Sequence, residues 1–136
     1  MKDAFKTVLI ADDIPYVRKT LRQILQNRGY RVVGEADNGD DAVRLYFETR
    51  PDLVIMDLVM PRMNGIDATR VILKRDPEAT IVILSAMTQE NLVTEAIQAG
   101  AKDYVVKPFQ TDEVMRILQE SLSRGSDQAA PAGGAA

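Results

Sequence analysis

A chain of 136 residues fits one domain, and a hydrophobic share of 46% is enough for an ordinary core. Seventeen Lys and Arg against 20 Asp and Glu leave a net charge of -3, without the basic footprint of a nucleic-acid binder. Cysteine and histidine are both absent, which excludes disulfides, thiolate nucleophiles, imidazole bases and Cys or His metal ligands, so any metal chemistry must use oxygen.

The first apolar run, TVLIA at 7–11, predicts a strand that ends against two adjacent carboxylates, Asp12 and Asp13. Val17, Leu21, Ile24 and Leu25 then recur at helical spacing before Gly29. RVVGEA at 31–36 predicts a second strand, and Ala42, Val43, Tyr46 and Phe47 a second helix that stops before Pro51. LVIMD at 53–57 is a third strand ending in Asp57; PRMNG at 61–65 reads as a loop that needs glycine before a less cleanly amphipathic helix, GIDATRVILKR. TIVILS at 80–85 ends a fourth strand on Ser85, and Leu92, Val93, Ala96 and Ile97 mark a helix before Gly100. DYVVK at 103–107 ends a fifth strand on Lys107, followed by a helix through Val114, Ile117, Leu118 and Leu122. From Gly125, GSDQAAPAGGAA has no apolar period, so the reading is a folded domain over 1–124 and a flexible low-complexity tail over 125–136. No apolar run approaches a membrane span and MKDAFK lacks the apolar middle of a signal peptide, so the expected location is cytoplasmic, away from membranes.

Continuous apolarity suits strands covered on both faces, and five βα repeats predict a doubly wound α/β fold with a parallel five-stranded sheet and helices on both faces. In such a sheet the strand ends share one edge, which is where ligands bind. Asp12, Asp13, Asp57, Ser85 and Lys107 should therefore converge on one rim. A carboxylate cluster is hard to keep ionised without a cation, and hard oxygen donors favour Mg2+. Each residue alone has an ordinary reading: the acidic pair as a solvated loop or helix cap, Ser85 as a turn residue, Lys107 as a surface lysine. Asp57 resists that treatment, because a carboxylate closing a strand covered on both faces needs a partner.

LIADD, VIMDLVMPRMNG, ILSAM, AGAKDY and VVKPF together resemble the receiver domain of response regulators, over about residues 5 to 123, and in particular its CheY-like, single-domain chemotaxis type. The resemblance implies a (βα)5 flavodoxin-like topology with strand order 2-1-3-4-5. It implies that Asp57 is the phospho-acceptor, that Asp12 and Asp13 are the acidic pair, and that Mg2+ is held by Asp13 and Asp57 directly, by Asp12 through water and by the Val59 backbone carbonyl. By the same resemblance Lys107 and Ser85 contact the phosphoryl group, Pro108 follows a cis bond, and Ser85 with Tyr104 forms the switch. Met87 and Val93 are then the exposed apolar candidates on the Tyr104 face, with Phe109 nearby, and the apolar Val59 and Met87 flank the path of the hydrolytic water and set the lifetime of the phosphoryl group.

The implied partners are a histidine kinase and a target protein bound through the face containing Tyr104, with the flagellar motor switch as one such target. This describes a phospho-accepting two-component signalling protein that catalyses only its own phosphorylation and dephosphorylation. Three rivals stand beside it. The chain could be the receiver module of a longer regulator, with the low-complexity segment as its linker. A metal-dependent aspartyl-phosphate phosphatase would want a second Asp where Val59 stands. A flavodoxin-like electron carrier would want a Ser/Thr-rich phosphate loop where the chain has DDIP.

Overall fold

The computed structural model describes residues 5–127, in which five strands alternate with five helices. The strands are β1 (Thr7–Ala11), β2 (Arg31–Ala36), β3 (Leu53–Asp57), β4 (Ile81–Ala86) and β5 (Asp103–Lys107). The helices are α1 (Pro15–Asn27), α2 (Gly39–Thr49), α3 (Gly65–Arg75), α4 (Glu90–Gln98) and α5 (Thr111–Asp127). Four strands fall where the apolar runs predict; β4 runs one residue further than expected, so Ser85 is its penultimate residue. Helix α5 passes the boundary expected at Gly125 and reaches Asp127, and the rest of the expected tail, 128–136, lies outside the described residues.

All neighbouring strands pair in parallel, in the order β2-β1-β3-β4-β5. Alternate side chains of each strand enter different cores. Leu9, Val54, Met56, Ile81 and Ile83 pack with Ala42 and Tyr46 of α2, Ile66 and Ile72 of α3 and Ala96 of α4. On the other face, Val8, Ile10, Leu53, Ile55, Val82, Leu84 and Val105 meet Leu21 and Leu25 of α1 and Val114, Ile117 and Leu118 of α5. Each fully buried Leu or Ile contributes about 1.5–3 kcal/mol of apolar transfer, which explains why β1, β3 and β4 read as unbroken apolar runs.

From β1 the chain moves outward to β2, then returns past β1 to place β3 on its other side. The connections thus diverge between β1 and β3, opening a crevice at the carboxyl ends of these two strands. Two glycines let the neighbouring loop close over it. A Cβ on Gly65 would lie 2.0 Å from the Asp57 carbonyl oxygen, and one on Gly39 would lie 2.2 Å from that of Met63. The Gly65 amide donates to the Leu58 carbonyl at 2.8 Å and the Gly39 amide to the Met63 carbonyl at 2.8 Å. Glycine is required before α3, as the sequence suggests, because backbone approaches backbone at this point.

Candidate functional site

Asp57 ends the central strand β3 and is 4% exposed. Asp12 directly follows β1 and is fully buried, while Asp13 beside it is exposed. One carboxylate oxygen from each of the three lies within 4.8 Å of the others. Lys107, the last residue of β5, reaches across the rim: its ammonium is 3.0 Å from Asp12 Oδ2 and 3.6 Å from Asp57 Oδ1. The contact with Asp12 is an ion pair outside hydrogen-bond alignment. Asp12 Oδ1 is committed elsewhere, accepting from the Ile14 amide at 2.8 Å.

Three acids against one ammonium leave the cluster short of positive charge. Burial pushes the Asp57 carboxyl up to about 6 from 3.8, with the Asp12 and Asp13 charges adding to the rise; Lys107 and the Val59 backbone amide oppose it. The group is nevertheless mostly ionised at neutral pH. A set of three carboxylates with no nitrogen or sulfur donor fits a hard divalent cation that keeps several waters, which is the coordination Mg2+ favours.

Ser85 is 1% exposed, and its Oγ has no hydrogen-bond partner. A buried hydroxyl without a partner costs about 1–3 kcal/mol, and at this rim an incoming acceptor would supply the partner. Asp57 pairs with Leu84 in the β3–β4 register, which puts Ser85 one position beyond Asp57 on the neighbouring strand. Ser85 also lines a groove of about 580 Å3 together with Met87, Val93, Ile97, Tyr104 and Val106. The groove runs along α4 and links the rim to Tyr104, which is 41% exposed.

Val59 and Met87 stand on the loops after β3 and β4 and are 52% and 69% exposed, so both face solvent beside the site. Val93, expected to be exposed, and Phe109, expected near the Tyr104 face, are placed differently. Val93 is half-buried against the α2–α3–α4 core, and Phe109 is half-buried against the α1–α5 core on the opposite face of the sheet. The peptide bond between Lys107 and Pro108 is cis, as the resemblance implies.

Sequence reasoning missed what holds the acidic loop in place. The Asp12 amide donates to the Ala36 carbonyl at 3.0 Å, and Arg18 Nη1 donates to the Asp12 carbonyl at 2.6 Å. The available signal was a cation near the start of a helix that has no acidic residue in its first turn.

The response regulator receiver domain family matches residues 8–119. A chemotaxis protein CheY of Thermotoga maritima is 52% identical over 115 residues, covering 85% of this chain and 96% of the relative. CheY of Bacillus subtilis is 47% identical over 116 residues, covering 85% and 97%. Among solved structures, the CheX-CheY-BeF3-Mg+2 complex from Borrelia burgdorferi contains a chain that superposes with a TM-score of 0.81 at 32% identity, covering 85% of this chain and 87% of that one.

Proposed function

This chain belongs to the response regulator receiver domain family of two-component signalling proteins, and from that premise we propose that Asp57 accepts a phosphoryl group from a histidine kinase. The observation that carries the proposal is the burial of Asp57 at the end of the central strand beside Asp12, Asp13 and Lys107, an arrangement that costs stability and serves no packing purpose. A carboxylate oxygen of Asp57 attacks phosphorus while the phosphorus–nitrogen bond of the donor breaks, and its electron pair leaves with the imidazole. The product is an acyl phosphate. Lys107, already between Asp12 and Asp57, supplies a point charge to a phosphoryl oxygen with little movement. Ser85 Oγ donates to another oxygen and in doing so gains the partner it lacks.

Asp13 and Asp57 would hold Mg2+ directly, Asp12 through water, and the Val59 carbonyl would complete the protein ligands. When bound, the ion neutralises charge on the phosphoryl oxygens.

The output follows from the groove. As Ser85 is drawn toward the phosphoryl group, Tyr104 turns into the space they share, and the surface around α4 and β5 changes for a protein target. The high identity to chemotaxis proteins supports chemotaxis as the pathway, with a motor-switch component as a target and the cytoplasm as the location. Val59 in place of a second acid argues against a phosphatase. The test is intact-protein mass after treatment with acetyl phosphate and Mg2+. Wild type should gain one phosphoryl group and Asp57→Asn none; equal labelling of both would remove Asp57 from its role.

A further inference from the structure

Arg18 lies outside the carboxylate cluster, on the first turns of α1. Its Nη1 donates to the Asp12 carbonyl at 2.6 Å, and its Nε donates to Glu35 Oε1 on β2 at 3.2 Å. Arg22, one turn further along, binds the other oxygen of Glu35. Glu35 thus already has a cation without Arg18, and the bond to the Asp12 carbonyl adds nothing to that helix–strand pair.

The position is also unfavourable for α1 itself. The N-cap, Ile14, provides no side-chain cap, and a cation so near the helix start opposes the helix dipole. What Arg18 does hold is the peptide joining Asp12 to Asp13. Three bonds restrain this segment: the Asp12 amide to Ala36, the Ile14 amide to Asp12 Oδ1, and the Asp12 carbonyl to Arg18. The first acts on Asp12, and the second ties the peptide after Asp13 to the Asp12 side chain. The third fixes the peptide before Asp13, the exposed member of the cluster, so Arg18 supplies the restraint on that side.

We propose that Arg18 is a positioning residue that aims Asp13 at the divalent cation by holding the Asp12 carbonyl, with Glu35 as the brace that orients its guanidinium. The proposal rests on the reading of Asp12, Asp13 and Asp57 as a Mg2+ site. A guanidinium fork can serve carbonyl and carboxylate at once, whereas a lysine at this position offers a single point of contact.

The test compares Arg18→Ala, Arg18→Lys and Arg22→Ala with wild type. Mg2+ is titrated into each 15N-labelled protein with no phosphodonor present, and hydrogen exchange of the Ile14 amide, which is bonded to Asp12 Oδ1 across Asp13, is followed in the metal-free state. Both Arg18 variants should weaken Mg2+ by on the order of tenfold, the lower end for supporting residues around metal ligands, and should speed exchange at Ile14. Arg22→Ala loosens the same helix–strand contact but does not touch Asp12, so it should bind Mg2+ within about twofold of wild type. Arg18→Lys keeps the comparison open if Arg18→Ala does not fold. Wild-type affinity and exchange in the Arg18 variants, or equal weakening by Arg22→Ala, would overturn the proposal. Wild type that binds no better than Asp13→Ala would instead overturn the metal-site reading, and this inference with it.

Discussion

The two ends of the sheet treat their carboxylates in opposite ways. At the amino-terminal end, Asp52 accepts from the Thr7 amide at 2.8 Å and from its hydroxyl at 3.1 Å, while the Asp52 amide returns a bond to Thr7 Oγ1 at 3.0 Å. Nearby, Asp76 accepts from the Tyr46 hydroxyl at 2.6 Å, from Arg50 at 3.1 Å and from the Glu78 amide at 3.2 Å. At the carboxyl end, three acids crowd around one lysine and a buried serine hydroxyl has no partner. The same fold thus satisfies the carboxylates Asp52 and Asp76 where they serve architecture and leaves the rim carboxylates in conflict where a ligand would complete them. The helix starts, which share the carboxyl edge, differ among themselves. Asn38 and Asn64 cap α2 and α3 through the Asp41 and Asp67 amides, while α1, which follows the acidic loop, has no side-chain cap.

The sharpest way to test the contrast is to remove an acid from the crowded end and read phosphorylation. Asp13→Ala should lose at least about 100-fold in the rate of labelling by acetyl phosphate at fixed Mg2+, more than 2.7 kcal/mol of barrier. Intact mass against time measures it. A near-normal rate would move the metal away from the acidic pair.

Stability should respond with opposite sign at the two ends. The folded-state carboxyl of Asp57 titrates at about 6 against 3.8 for the ordinary group, so its ionisation opposes folding. The penalty is absent below about pH 4, grows as pH rises and is complete above about 6, where it amounts to ~3 kcal/mol. Metal-free Asp57→Asn should therefore be more stable than wild type at pH 7.5 and nearly equal to it at pH 3.5, as measured by urea unfolding in EDTA. Added Mg2+ should narrow the gap at pH 7.5, since it binds the wild-type cluster preferentially. A mutant that is less stable at pH 7.5 would show that Asp57 is satisfied after all. At the opposite end, Asp76→Ala should destabilise by about 2 kcal/mol, because it orphans the hydroxyl of the buried Tyr46. Tyr46→Phe, which removes the donor and leaves Asp76 with Arg50, should cost less.

Most of this contrast could be read in the sequence at one end only. Unbroken apolar runs revealed the strands because burial on two faces removes alternation, and parallel order then forced Asp12, Asp13, Asp57, Ser85 and Lys107 onto one rim. The bracing by Arg18 and Glu35 was hidden, since an arginine on α1 reads as part of a solvated face until β2 is placed beside it. The half-burial of Val93 and Phe109 was hidden for a similar reason: apolar residues near a site look exposed until the packing of each sheet face is known. The ring of bonds around Asp76 was also invisible, because it joins side chains 26 to 30 residues apart and carries no local motif.

The smallest expected effect concerns the duration of the phosphorylated state. Val59 and Met87 face solvent over the crowded end and offer no polar atom that could orient a water in line with phosphorus. An apolar rim of this kind should misplace the water while leaving the central groups intact, which predicts slow hydrolysis. Val59→Asn together with Met87→Glu should speed phosphate release by on the order of tenfold, about 1.4 kcal/mol of barrier. Both positions are more than half exposed, so the substitutions should leave folding stability within about 0.5 kcal/mol, which separates an effect on water from an effect on packing. Release is timed after removal of the donor, at equal Mg2+, for each single mutant and the pair. An unchanged rate in the pair would show that lifetime is set by Asp13, Ser85 and Lys107 alone, and the contrast between the two ends of the sheet would then lie wholly in those three groups.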